Sequence, residues 1–243
     1  MKILIALENI GLGGMKRATT VVGNALSTRY DVTYYSFSDM DPFYDLAAPL
    51  IIGNTPRTLD NDAQPFERFD RQIKEFEAVA SHFDIVILAG GLLASFAARL
   101  SLPDTKLIGW MHNNVHTYQT QYYAAMRQEF DDGLRALDVI VALTESDLKG
   151  FSVYNKTVKI WNPLTIIPNG HAVLAKHVIA FTGRIAIQHK GIDFAVQLAS
   201  KLPEDWQLAI AGSGSPEDML VFKELVATYH VAVSYTHLTL PTN

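Results

Sequence analysis

The chain has 243 residues, about half of them hydrophobic (49%) and a fifth charged (19%), with a formal net charge of −5. That length suits one large domain and part of a second better than two complete ones, since a domain takes roughly 100–200 residues. No Lys/Arg run tracks a phosphate backbone, which argues against a nucleic-acid binder. The absence of cysteine removes disulfides and thiolate metal sites and matches cytosolic usage.

In chain order, residues 2–7 read as a buried strand; the run is too short for a secretory signal and passes straight into Glu8-Asn9. A helix is expected at 16–29 and a strand at 31–37. Residues 39–64 carry three prolines and no clean period, and read as a long loop or a poorly formed strand-loop. Next come an amphipathic helix at 66–83 and a strand at 85–89 closed by Gly90-Gly91. They are followed by a helix at 92–100, a strand at 106–111, a longer helix at 118–136, a strand at 139–143 and a helix from Glu145. The longest apolar run, 85–100, falls short of the about 20 residues a membrane-spanning helix needs and is interrupted by its two glycines. Strand–helix alternation at this spacing predicts parallel pairing with helices on both faces.

After Asn162-Pro163 a linker rich in Pro, Asn and Gly covers 161–176, and a fresh β-α-β-α series begins. Its elements are expected at 177–182, 192–202, 207–211 and 216–229. The division is therefore 1–165 for the first domain and 166–232 for the start of the second. Residues 233–243 resemble the translation of a transposase sequencing adapter and are expected to be an artefactual tail; a natural edge strand and turn is the alternative.

Four places could carry chemistry. In Gly11-Leu12-Gly13-Gly14-Met15-Lys16-Arg17 the glycines let the backbone approach a ligand, and the helix behind them offers unpaired N–H groups to a phosphate. The third glycine of the dinucleotide fingerprint is replaced by Lys16, and Asp39 lies slightly past the place of the ribose-binding acid. The second is Trp110-Met111-His112-Asn113-Asn114, just past the carboxyl end of a central strand, where open α/β sheets bind ligands; a loop histidine is the plainer reading. His116 reads as structural or exposed, and the His112/His116 pair lacks the further ligands of a metal site, so no metal is expected. The third is Phe181-Thr182-Gly183-Arg184 with Gln188-His189-Lys190-Gly191, which sets two cations beside a strand end and a helix start, a site for a diphosphate. In Gly212-Ser213-Gly214-Ser215-Pro216, as in Thr144-Glu145-Ser146-Asp147, helix capping accounts for the residues, and a ligand role for Gly212 is secondary.

Taken in order, these pieces resemble the retaining glycosyltransferases of family four, which have the GT-B architecture. The resemblance rests on Gly13-Gly14 with Arg17, the His112 cluster, Ala142-Leu143-Thr144-Glu145-Ser146, Asn162-Pro163, Phe181-Thr182-Gly183-Arg184 with Lys190-Gly191, and Ala211-Gly212-Ser213-Gly214. The wording Gly-Trp-Met-His-Asn-Asn is further similar to bacterial enzymes that build surface polysaccharides or decorate teichoic acids. The resemblance implies an α/β fold of two Rossmann-like domains, the second incomplete here. It implies a nucleotide-diphosphate sugar, a UDP-sugar, as co-substrate with no other cofactor and no metal, and a saccharide or lipid-linked acceptor on the first domain. By position, Gly13 and Gly14 would lie against the donor phosphate, Arg184 and Lys190 would neutralise the diphosphate, and His112 would stand near the reacting carbon. Arg17, Asn113 and Gly212 would be further donor or acceptor contacts. Lys16 departs from the glutamate many relatives carry there, and the family's paired glutamates would lie beyond residue 232, so the chain as written is expected to be inactive while its parent is active. The implied location is the cytoplasm, at the inner face of the membrane. An NAD-dependent oxidoreductase or epimerase, or a non-catalytic sugar-binding protein, stays open beside this reading.

Overall fold

The computed structural model describes residues 1–57, 66–171, 173–231 and 233–236. The chain divides into two compact units between Ile167 and Pro168, two residues beyond the expected boundary.

In the first unit, β1 (Lys2–Leu7) leads into α1 (Gly14–Ser27), β2 (Asp31–Ser36) and β3 (Leu50–Ile52). The chain continues through α2 (Asp70–Ala80), β4 (Ile85–Ala89), α3 (Gly91–Phe96), β5 (Lys106–Trp110) and the single turn α4 (Val115–Thr117). It ends with α5 (Arg127–Ala136), β6 (Val139–Ala142), α6 (Glu145–Phe151) and β7 (Thr157–Lys159). The seven strands are parallel throughout, in the order β3-β2-β1-β4-β5-β6-β7. The chain runs outward from β1 to β3, then returns to lay β4 on the other side of β1. The topological switch point, where such sheets open a crevice at their carboxyl edge, is therefore between β1 and β4.

β1 is apolar without interruption because both faces are covered. Leu4 and Ala6 join one core with Phe76 of α2, Phe96 of α3 and Phe130 of α5. Ile3, Ile5 and Leu7 join the other with Val32 and Tyr34, against Leu26 of α1. Each large side chain so buried contributes about 1.5–3 kcal/mol.

Three expectations need correction. The loop predicted at 39–64 contains β3, paired to β2 from Leu50 to Ile52; its part from residue 58 onward lies outside the described residues. β7 was not expected, since three half-buried residues carry almost no pattern. The helix predicted at 118–136 is broken. Asn114 caps α4, a π-turn follows over Tyr118–Tyr122, and α5 starts only at Arg127. The break falls at Tyr123, whose backbone leaves the helical region so that its ring packs between Tyr118 and Phe130, at 5.4 and 4.9 Å between centroids. Aromatic packing here outweighs local helix propensity.

The second unit contains β8 (Val178–Thr182), α7 (Ile187–Lys190), α8 (Ile192–Ala199), β9 (Gln207–Ala211), α9 (Pro216–Thr228) and β10 (Val233–Thr236). Its sheet is parallel, in the order β10-β9-β8, over a core of Ile185, Ile192, Val196, Leu208, Ile210 and Phe222. The first residues of the expected tail thus pair along β9, and those from 237 onward lie outside the described residues. Among the described residues no helix is long and apolar enough to cross a membrane.

Candidate functional site

In the first unit the polar residues of interest gather at the carboxyl edge of the sheet. Beyond β1 the chain passes Glu8 and Asn9 and enters α1 at Gly14. Gly13 precedes the helix without any side-chain cap, and Arg17 N closes the first turn on the Gly13 carbonyl at 2.9 Å. A methyl group added at Gly14 would meet nothing within 4 Å, whereas one at Gly13 would meet the Lys16 stem at 3.1 Å. The N–H groups at the start of α1 are therefore open to an anion, with the positive end of the helix dipole behind them. Arg17 is employed elsewhere: its Nη2 donates to the Thr165 carbonyl at 3.2 Å, and its guanidinium lies over Tyr44, 5.8 Å from the ring centroid.

His112 follows β5. Its ring lies against Trp110 at 4.7 Å between centroids, its backbone N–H donates to Tyr118 Oη at 3.3 Å, and its Nε2 is buried without a partner among the described residues. Burial pushes its pKa down to about 4, so the imidazole is neutral at neutral pH and offers hydrogen bonding rather than charge. Asn113 Oδ1 accepts the Asn114 N–H at 2.8 Å, so it serves the turn that carries His112. His116 is exposed.

Two residues in this region were not singled out by sequence reasoning. Asp147, 6% exposed, does more than cap α6. Its Oδ1 accepts from Asn114 Nδ2 at 2.9 Å and from Val115 N at 3.2 Å, and its Oδ2 accepts from Thr144 Oγ1 at 2.6 Å. Gly150 lets α6 come this close, because a Cβ there would stand 2.4 Å from Val115 Cγ1. The Thr-x-x-Asp spacing shows the cap but not the partner on the preceding strand's turn. The second is Glu8, the first residue past β1. Burial raises its carboxyl pKa, while Lys16 and Arg57 nearby pull it down. A charged residue ending the first strand of a doubly wound sheet is the signal that could have found it.

In the second unit, Arg184 and Lys190 are exposed, and neither enters an ion pair among the described residues. Gly191 has φ +62 and joins α7 to α8, a left-handed position that favours glycine for backbone reasons alone. Gly212 is likewise structural: a Cβ there would fall 1.8 Å from the Gly183 carbonyl oxygen. Ser215 caps α9 by accepting the Asp218 N–H, with Pro216 in the first turn, as capping chemistry predicts.

A seven-stranded parallel sheet switching between β1 and β4, followed by a fresh parallel α/β unit, is the plan of the GT-B glycosyltransferases, and solved structures of that class share the fold. S. aureus TarM, solved with alpha-GlcNAc-glycerol and UDP, superposes with a TM-score of 0.71 at 10% identity, covering 97% of this chain and 77% of TarM. Anabaena HepE in complex with UDP-glucose gives 0.69 at 13% identity, covering 99% and 70%. A Listeria monocytogenes structure assigned as a UDP-N-acetylglucosamine 2-epimerase gives 0.61 at 10% identity, covering 98% and 69%. No protein-family model matches the chain. Among curated proteins, an uncharacterized glycosyltransferase of Haemophilus influenzae is 28% identical over 232 residues, 90% of this chain. The GalNAc-alpha-(1->4)-GalNAc-alpha-(1->3)-diNAcBac-PP-undecaprenol alpha-1,4-N-acetyl-D-galactosaminyltransferase of Campylobacter jejuni is 25% identical over 235 residues, 92% of this chain. The chain spans 64% of the length of each of these two relatives.

Proposed function

We propose that the protein is a glycosyltransferase that moves a sugar from a UDP-sugar to a saccharide or lipid-linked acceptor with retention of configuration, at the cytoplasmic face of the membrane. One observation carries this reading: Gly14 opens α1 with nothing above it, on the same sheet edge that holds the neutral, unpartnered His112. An uncapped helix N-terminus receives a phosphate, and a neutral imidazole can hydrogen-bond a sugar hydroxyl without attracting the diphosphate. The names of the two curated relatives support the same reading. Arg184 and Lys190, exposed and without ion-pair partners among the described residues, are proposed to neutralise the departing diphosphate. With cationic side chains in that role, the reaction needs no divalent metal.

A sugar-nucleotide epimerase is the second reading, favoured by the fold shared with the Listeria structure. The full-length protein should be offered UDP-glucose, UDP-N-acetylglucosamine and UDP-N-acetylgalactosamine, with and without a saccharide acceptor. Transfer predicts UDP release that depends on the acceptor and a glycoside with the donor's anomeric configuration by NMR. Formation of the 2-epimer without acceptor would establish the second reading, and an inverted linkage would remove retention.

A further inference from the structure

A cavity of about 170 Å³ lies wholly within the first unit, between the carboxyl ends of β1 and β2 and the helices α2 and α3. Phe37, Phe69, Leu93 and Phe96 give it an apolar floor, and Glu8, Asn9, Ser38, Gln72 and Arg57 give it a polar wall. The floor is set by packing, since Leu93 and Phe96 are each 1% exposed and Phe37 stacks edge-on to Phe96 at 5.7 Å. The wall is partly committed: Gln72 Nε2 donates to the Phe37 carbonyl at 3.4 Å, and the Arg57 guanidinium lies 5.7 Å from the Phe69 ring centroid.

The Glu8 carboxylate is not committed. Among the described residues nothing donates a hydrogen bond to it, and neither Lys16 nor Arg57 forms an ion pair with it. A carboxylate drawn out of water without a donor is costly, and a ligand hydroxyl would relieve that cost. The volume is well below the roughly 300–1,000 Å³ of sites that hold drug-sized ligands, so it suits a single ring rather than a nucleotide. A carboxylate on the wall also repels a diphosphate. An apolar floor beneath a rim of carboxylate, amide and guanidinium matches a pyranose, which has a C–H face and a girdle of hydroxyls.

We propose that this cavity binds one sugar ring, with Glu8 accepting a hydrogen bond from a ring hydroxyl; resting on the transferase reading, that ring belongs to the acceptor. Glu8, Ser38 and Gln72 then set which acceptor sugar is taken.

The test uses the full chain and free N-acetylglucosamine, N-acetylgalactosamine and glucose as probes, followed by saturation-transfer NMR, with UDP binding measured separately by calorimetry. Glu8→Gln removes the charge with little change of shape, and Ser38→Trp blocks the mouth from an exposed position. At least one sugar should bind the wild-type chain, and both variants should weaken it by about tenfold or more, the scale of a charged hydrogen bond, while UDP affinity stays constant. No signal from any of the three sugars, or equal signal from wild type and both variants, overturns the cavity assignment. If the sugar signal depends on Glu8 and Ser38 but UDP does not bind, the assignment stands and the transferase reading fails.

Discussion

Asn114 donates its Nδ2 hydrogen to Asp147 Oδ1 at 2.9 Å, joining the turn after β5 to the first turn of α6 across 33 residues of chain. The same oxygen accepts the Val115 N–H, and the other accepts the Thr144 hydroxyl. A carboxylate kept from water is thereby satisfied three times, and the turn carrying His112 is held from behind. Asp147→Ala leaves the Asn114 and Val115 donors unpaired and should cost about 2–4 kcal/mol in stability. Asp147→Asn keeps an oxygen for both donors while the Thr144 hydroxyl turns to accept, so it should cost about 1 kcal/mol or less. Urea unfolding of the two variants measures this, and equal losses would show that the carboxylate does not act through those bonds.

The glycines divide into two kinds. Gly133 of α5 lies where a Cβ would stand 2.5 Å from the Ala94 carbonyl oxygen, so Gly133→Ala should destabilise the first unit by about 1–3 kcal/mol through overpacking. Gly14 has open space instead; Gly14→Ala should leave stability within about 0.5 kcal/mol. It should nonetheless weaken UDP-sugar binding by about tenfold in the full-length protein, because the new methyl group stands where a phosphate approaches. Thermal melts and donor titrations separate the two; a Gly14→Ala protein with unchanged donor affinity would remove Gly14 from the phosphate site.

His112 gives the fold a pH dependence of definite sign. An unfolded histidine titrates near 6.5, whereas burial holds this one down to about 4. Between those values the unfolded chain binds a proton that the folded chain refuses, so stability is complete above about pH 6.5 and falls as the pH drops towards 4. The loss is at most about 3 kcal/mol. His112→Gln should show a correspondingly smaller loss between pH 7 and pH 4.5 in denaturant titrations. Parallel curves for wild type and variant would mean that His112 is not held neutral.

Much of the fold was legible because it depends on continuous patterns. The uninterrupted apolar run of β1 and the Gly90-Gly91 stop after β4 both reflect strands covered on two faces. Short and long-range features were less legible. β3 and β7 have three residues each, too few for a period, and their pairing is decided by neighbours in the sheet. The break at Tyr123 depends on rings that meet Gly91, where a Cβ would lie 2.5 Å from Tyr123 Cε2. Within the site, Gly14 and His112 could be read locally as a helix start and a strand end. Glu8 and Asp147 could not, since what distinguishes them is a cavity and a hydrogen bond made by residues distant in sequence.

The central claim, that the chain carries the diphosphate-binding cations of a UDP-sugar glycosyltransferase, is tested most directly by UDP affinity in the full-length protein. Calorimetry on wild type, Arg184→Ala and Lys190→Ala should show UDP binding weakened by at least ~1.5 kcal/mol in each variant, the scale of a charged hydrogen bond. Both side chains are exposed, so folding stability should not change. Unchanged UDP affinity in both variants would contradict the assignment.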